Sequence, residues 1–118
     1  NRLPRTRRIT SSNEIRALFQ RGKRSRTAHL DVFDFASPVA HPRVGVVVPK
    51  HRRNSVERNK VKRRLRELLR LEVLPRLSAH QATVDVLVRA RREAYNATFD
   101  QLHEELIDFV ERKWSHAR

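Results

Sequence analysis

The chain has no cysteine, no methionine and only two glycines. Without cysteine it can build no disulfide scaffold, no thiol nucleophile and no Cys-ligated zinc site. Gly22 and Gly45 stand alone, so there is no Gly-rich loop to cradle a nucleotide phosphate. No apolar run approaches the roughly 18–20 residues of a membrane span, and the basic N-terminus lacks the apolar stretch of a signal peptide. The six histidines show no metal-ligand spacing. The basic segments hold neither clustered carboxylates for Mg²⁺ nor a His pair for acid–base work. Glu104-Glu105, on the last predicted helix, is expected to face solvent. Methionine is missing even at position 1, so the numbered chain is expected to begin inside a longer reading frame. These absences predict a soluble intracellular protein that binds rather than one whose side chains catalyse.

What is present is charge. Of 118 residues, 27 are Lys or Arg and 13 are Asp or Glu, for a net charge of +14. The hydrophobic share of 38% is too high for a disordered basic tail and suffices for a modest core. The length suits one domain over residues 1–118, with residues 1–8 expected as a flexible basic tail. The charge is concentrated. Residues 1–26 hold nine Lys/Arg against one Glu, and residues 50–70 hold ten against two, which leaves the remainder slightly acidic. Two such blocks separated by neutral sequence read as two walls of one anionic site or two separate phosphate contacts. Both favour Arg, whose planar fork grips phosphate in a bidentate way and stacks on bases. Nucleic acid is therefore the expected partner; a membrane is not, because neither block joins a strongly apolar face.

Local signals order the elements. Ser11-x-x-Glu14 is a capping box, followed by Ile15, Leu18 and Phe19 at helical spacing with Gly22 as a stop, which predicts a helix over 12–21. Thr27–Phe35 alternates, with Leu30 and Val32 on one side and Asp31, Phe33 and Phe35 on the other. Arg43–Val48 is a β-branched run closed by Pro49. Asn54-x-x-Glu57 caps a second helix with the stripe Val61, Leu65, Leu68 and Leu69, and Pro75 is expected to end it. Thr83–Arg89 forms a third strand, and Thr98-x-x-Gln101 opens a last helix. The order α-β-β-α-β-α predicts a small α+β sandwich with helices mainly on one face of a mixed sheet.

At 100° per residue, the arc of the second helix opposite its stripe collects Asn59, Lys60, Lys62, Arg63, Arg64, Arg66 and Arg70. Like charges on adjacent turns repel by a few tenths of a kcal/mol per pair. A helix serving solubility alone would interleave signs, so this face is read as functional. Phe33 has two open readings. It is a core ring, or, sharing its strand face with polar residues, a platform on which a base of single-stranded nucleic acid stacks. Residues alone leave open a ribosomal or other structural RNA-binding role without catalysis, a basic DNA-binding module and a self-contained nuclease.

The segment Arg58-Asn59-Lys60-Val61-Lys62-Arg63-Arg64-Leu65-Arg66 resembles the signature helix of the bacterial ribonuclease P protein family, with Lys60 where that pattern has arginine. Arg43-Val44-Gly45, Phe19-x-x-Gly22 and Val88-Arg89-Ala90-Arg91 extend the resemblance over residues 8 to about 113, although Pro49 and Arg53 replace small residues common there. The resemblance implies a ribosomal-protein-S5-domain-2-like fold with a left-handed β-α-β crossover, against the usual right-handed preference. It implies a cytoplasmic subunit of an endoribonuclease that removes the 5′ leader of precursor tRNA. The partners would be the catalytic RNA and precursor tRNA, with no obligate protein partner. The catalytic centre and its Mg²⁺ would lie in the RNA, leaving no catalytic residue or metal ligand in this chain. By the same resemblance Arg58, Asn59, Lys60, Arg63 and Arg64 would contact RNA, and Arg8, Ile15, Phe19, Phe33, Lys62 and Arg66 would line a cleft for the leader.

Overall fold

A computed structural model describes residues 3–115. Helix α1 (Ser12–Arg21) starts where Ser11 accepts from the Glu14 N–H. Strands β1 (Lys23–Arg26), β2 (Leu30–Ala36), β3 (Arg43–Val47) and β4 (Val84–Ala90) form one sheet in the order β1-β2-β4-β3. The β3–β4 pair is parallel and the other two are antiparallel. Between β3 and β4 runs helix α2 (Ser55–Leu68), then a π-helical turn at Leu69–Val73 and helix α3 (Leu74–Ala79). Helix α4 (Phe99–Trp114) closes the chain under a complete Thr98/Gln101 capping box.

The alternation in β2 and β4 sorts the core into two layers. Leu30, Val32, Val44, Val86 and Val88 pack beneath α2, α3 and α4 through Val61, Leu65, Leu68, Leu102 and Leu106. The opposite face carries a smaller cluster of Ile9, Leu18, Phe33 and Leu87, with Ile15, Phe19 and Val47 at its rim. Among the described helices, only α1 packs on that second face. Helices thus sit mainly on one side of the sheet, and part of the other side is open.

Four expectations are corrected. The strand β1 does not appear in the predicted order, because Lys-Arg-Ser-Arg has no apolar alternation to signal it; it is an edge strand, where charge is the usual protection against unwanted pairing. Pro75 does not end the helix. The Leu74 N–H reaches back to the Leu69 carbonyl, and the wider turn lets proline, which has no N–H and would crowd the carbonyl four residues before it, enter the start of α3. Residues 1–8 are not a free tail from Leu3 onward. Leu3 is buried, Arg5–Arg7 form a 3₁₀ turn, and the Ile9 N–H donates to the Val44 carbonyl at 2.8 Å, which lays the segment along β3. Asn1 and Arg2 lie outside the described residues. Gly45 is what allows this approach, since a Cβ there would stand 3.0 Å from the Ile9 carbonyl oxygen. Lastly, Glu105 does not face solvent: it accepts from the Thr27 hydroxyl at 2.6 Å and the His29 N–H at 3.1 Å, and meets the His29 ring.

Helix α1 is fastened to the sheet by ions as well as apolar contact. Arg43 donates to both carboxylate oxygens of buried Asp85, at 3.0 and 2.6 Å, and to Glu14 of α1 at 2.9 Å. The bonds to Asp85 outweigh burial and, with Glu14, push the Arg43 pKa further up. Removing one partner leaves the other charge buried and unpaired. Arg43→Ala is expected to cost about 3–5 kcal/mol, read as a lower urea midpoint in equilibrium unfolding.

Candidate nucleic-acid interface

The Asn54 side chain accepts from the Glu57 N–H at 2.8 Å, and Glu57 reaches back to the Asn54 N–H. This box fixes where α2 begins and hence which residues face outward. With Val61, Leu65 and Leu68 buried, the basic residues are turned away from the sheet.

The residues of the resemblance divide into two groups. Arg58 donates through Nε and Nη2 to the Val48 carbonyl at 3.3 and 3.1 Å, and Arg64 donates to the Ala97 carbonyl at 3.3 Å. These two staple α2 to the end of β3 and to the approach of α4 while keeping their charge. Arg53 similarly pairs with Glu57 at 2.9 Å and lies 5.0 Å from the Tyr95 ring centroid. The Arg53 hydrogen bond and the helix cap hold the Glu57 carboxyl below its usual range. By contrast, Asn59, Lys60, Lys62, Arg63 and Arg66 make no side-chain hydrogen bond or ion pair among the described residues.

Arg8 meets this second group across a groove. An open groove of about 590 Å³ is lined by Leu3, Arg8, Asn59, Lys62, Arg63, Arg66, Glu67 and Arg70. It runs into a smaller recess where Ile15, Thr10 and Gly45 join Arg8, Lys62 and Arg66. Of the first basic block only Arg8 lines this groove, opposite Lys62, Arg63, Arg66 and Arg70 of the second, while Arg24 and Arg26 open onto a separate hollow. The Nε of Arg8 is buried with no partner, an unmet donor in a groove of cations. Among the described lining residues, the side-chain oxygens are those of Glu67, already bonded to Arg70, and Asn59. Such a donor set repels a divalent cation and attracts phosphate.

Of the predicted cleft residues, Arg8, Ile15, Lys62 and Arg66 are brought together, whereas Phe19 and Phe33 sit farther along the α1 face. The stacking role for Phe33 is corrected. Its exposure is only 3%; Phe19 meets it edge-on with centroids 5.0 Å apart, and the Arg89 guanidinium lies 5.1 Å above its ring. Phe33 is a core ring supporting Phe19, the more open of the pair. Sequence reasoning also missed Asp31, Arg24, Arg26 and Arg89, which gather on this face. The available signal was the period-two spacing that puts Asp31 beside Phe33.

A cationic groove on an α+β scaffold, with unspent donors and no clustered acid–base pair within it, defines a polyanion-binding protein. The comparisons sharpen this. A family model described as Ribonuclease P matches residues 3–114. The ribonuclease P protein component of Desulfovibrio desulfuricans is 35% identical over 120 residues, covering 97% of this chain and 88% of that protein. That of Syntrophobacter fumaroxidans is 34% identical over 104 residues, covering 88% and 86%. In fold, the RNase P protein of Staphylococcus aureus superposes with a TM-score of 0.70 at 24% identity, covering 92% of this chain and 96% of that one. The protein from Thermotoga maritima gives 0.70 at 22% identity, covering 95% and 96%. The chain belongs to the ribonuclease P protein family, the protein subunit of the tRNA-processing endoribonuclease.

Two substitutions separate the staples from the free cations. Arg58→Ala is expected to lower stability by about 1–2 kcal/mol along with RNA affinity, because the Val48 carbonyl loses its donors. Lys60→Ala should leave the melting temperature in place while weakening RNA binding and making its salt slope shallower. Phe33→Ala is expected to cost about 3–5 kcal/mol of folding stability in urea titration, as a core aromatic does.

Proposed function

We propose that the outward arc of α2 (Asn59, Lys60 and Arg63, with the stapled Arg58 and Arg64) lies against the catalytic RNA of ribonuclease P in the cytoplasm. The groove between Arg8 and α2 carries the single-stranded 5′ leader of precursor tRNA, with Ile15, Phe19, Lys62 and Arg66 along its path and Phe33 supporting Phe19. The observation that carries this reading is the set of unbonded α2 cations, Lys62, Arg63 and Arg66, facing Arg8 across an open groove.

The physics is charge neutralisation where two polyanions meet. Cleavage and the Mg²⁺ ions it uses belong to the RNA; this chain's residues lower the cost of bringing substrate phosphates against RNA phosphates. The assembled enzyme should therefore work at lower Mg²⁺ than the RNA alone. Contacts to the leader favour precursor over mature tRNA, because only the precursor has a strand to lay in the groove.

The test is reconstitution with ribonuclease P RNA and precursor tRNA at low Mg²⁺. Leader release is expected only when protein and RNA are both present, and affinity should fall with salt by roughly 0.7–0.9 log units per tenfold salt for each phosphate neutralised. Replacing Lys62 and Arg66 by Ala should weaken precursor binding more than mature tRNA binding. Salt-independent binding, or an equal loss on both tRNAs, would overturn the reading.

A further inference from the structure

At the end of the sheet that α1 leaves open, three arginines converge on one carboxylate. Asp31, only 3% exposed, accepts from Arg89 Nη2 at 3.1 Å, from Arg26 Nε at 3.2 Å, and from Arg24 Nη2 at 3.4 Å. Strand register makes this meeting unavoidable. Asp31 stands opposite Arg26 on one side and Arg89 on the other, and Arg24, two residues from Arg26, shares their face. One carboxylate cannot neutralise three guanidinium groups, so the cluster keeps an excess of two positive charges.

Asp31 is built to persist. Burial alone would push its carboxyl up, but the hydrogen bonds from Arg89 and Arg26 and the charges of Arg24 and Arg26 prevail and hold it below the usual carboxylate range. The arginines are thereby preorganised, with rotamer entropy already spent in the free protein. They are not consumed: the side chains of Arg24 and Arg26 are 47% and 56% exposed, and they open onto a hollow of about 440 Å³. Arg89 also lies 5.0 Å from the Phe19 ring centroid, which joins the cluster to the aromatic floor. From β3, beside Arg8, to β1 is three strand spacings, about 14 Å across one sheet face. Ile15, Phe19, Arg89 and the Arg24/Arg26 pair share this face, while Arg8, paired with Val44, lies on the α2 side of the β3 edge, where the recess lined by Ile15 and Gly45 joins the two. Charge, apolar floor and charge thus follow one another around that edge, the pattern suited to a single strand.

The geometry points to a second phosphate site, in which Arg24, Arg26 and Arg89, positioned by Asp31, hold a backbone phosphate of the single-stranded leader farther along the strand that occupies the α2 groove. It rests on the leader reading above. The commitment to a single strand follows from half-buried Phe19 and Arg89 at its border, since aromatic and guanidinium groups beside a basic track serve unstacked bases.

The experiment uses the assembled ribonucleoprotein with precursor tRNAs whose 5′ leaders are shortened stepwise, and the single variants Arg24→Gln and Arg26→Gln. Each leaves Asp31 two arginine partners, so the fold is retained, as a melting curve verifies. Each variant should bind the long-leader precursor about fivefold to tenfold more weakly, the loss of one charge-assisted contact. Its salt slope should be shallower by about 0.7, one single-strand phosphate. Affinity for mature tRNA and for the catalytic RNA should stay unchanged, and the difference should vanish once the leader is too short to reach β1. Asp31→Asn discriminates positioning from bulk charge: although it adds positive charge, it should weaken long-leader binding. Unchanged long-leader affinity in Arg24→Gln and Arg26→Gln, with the wild type still preferring precursor over mature tRNA, overturns this site alone. A loss in these variants that falls equally on mature tRNA or on the catalytic RNA assigns the cluster elsewhere and also overturns it. Absence of any precursor preference in the wild type would instead overturn the leader reading itself.

Discussion

Thirteen acidic side chains must hold together a fold that carries 27 arginines and lysines, and where the acids sit decides what the surface can bind. The three buried carboxylates, Asp31, Asp34 and Asp85, are all on the sheet, and each is met by cations. Glu14 joins α1 to the same sheet, and Glu105 joins α4 to the turn between β1 and β2. On α2, Glu57 and Glu67 are bound to Arg53 and Arg70, toward its two ends, so the basic stretch between them has no counter-charge on its own helix. Spending the anions internally is what leaves a cationic exterior, and the self-repulsion of that exterior is a cost that binding a polyanion relieves.

Much of this was legible in the sequence. Helix starts were readable because capping is local: Ser11, Asn54 and Thr98 each satisfy an N–H three residues on, so the chemistry lies within four letters. The valine-rich strands were readable because burial imposes their pattern. What escaped detection was set by distant partners. The strand β1 exists because β2 offers it a ladder, not because Lys-Arg-Ser-Arg prefers extension. Leu3 and Ile9 anchor the N-terminal segment against β3, and two apolar letters among arginines did not announce that. Pro75 misled because its penalty belongs to regular α-helix, and a π turn immediately before it removes the clash.

The site was half legible for a similar reason. Helical periodicity alone puts Lys60, Lys62, Arg63 and Arg66 on the outer arc, and the structure agrees. Periodicity cannot say which arginines are already committed, and Arg58 and Arg64 are bonded to carbonyls of other elements. Nor could it choose between the roles open to Phe33, because a ring on a sheet face is core or platform according to what covers it. Here Phe19 and Arg89 cover it, and both come from outside its strand.

The width of the open face follows from how α1 is held. The apolar cluster beneath α1 is small, and dispersion contacts alone tolerate sliding along a sheet. Arg43 removes that freedom, because its fork is bidentate to Asp85 on β4 while the same Nη2 reaches Glu14 on α1. A directional, desolvated ion network fixes register where a few leucines and phenylalanines would not; such a network contributes position more than net stability. Since Arg43 and Asp85 occupy one end of this sheet face and Asp31 with its arginines the other, α1 is pinned over the first and kept off the second. The sheet thereby keeps an uncovered basic end beyond α1, on the face opposite α2.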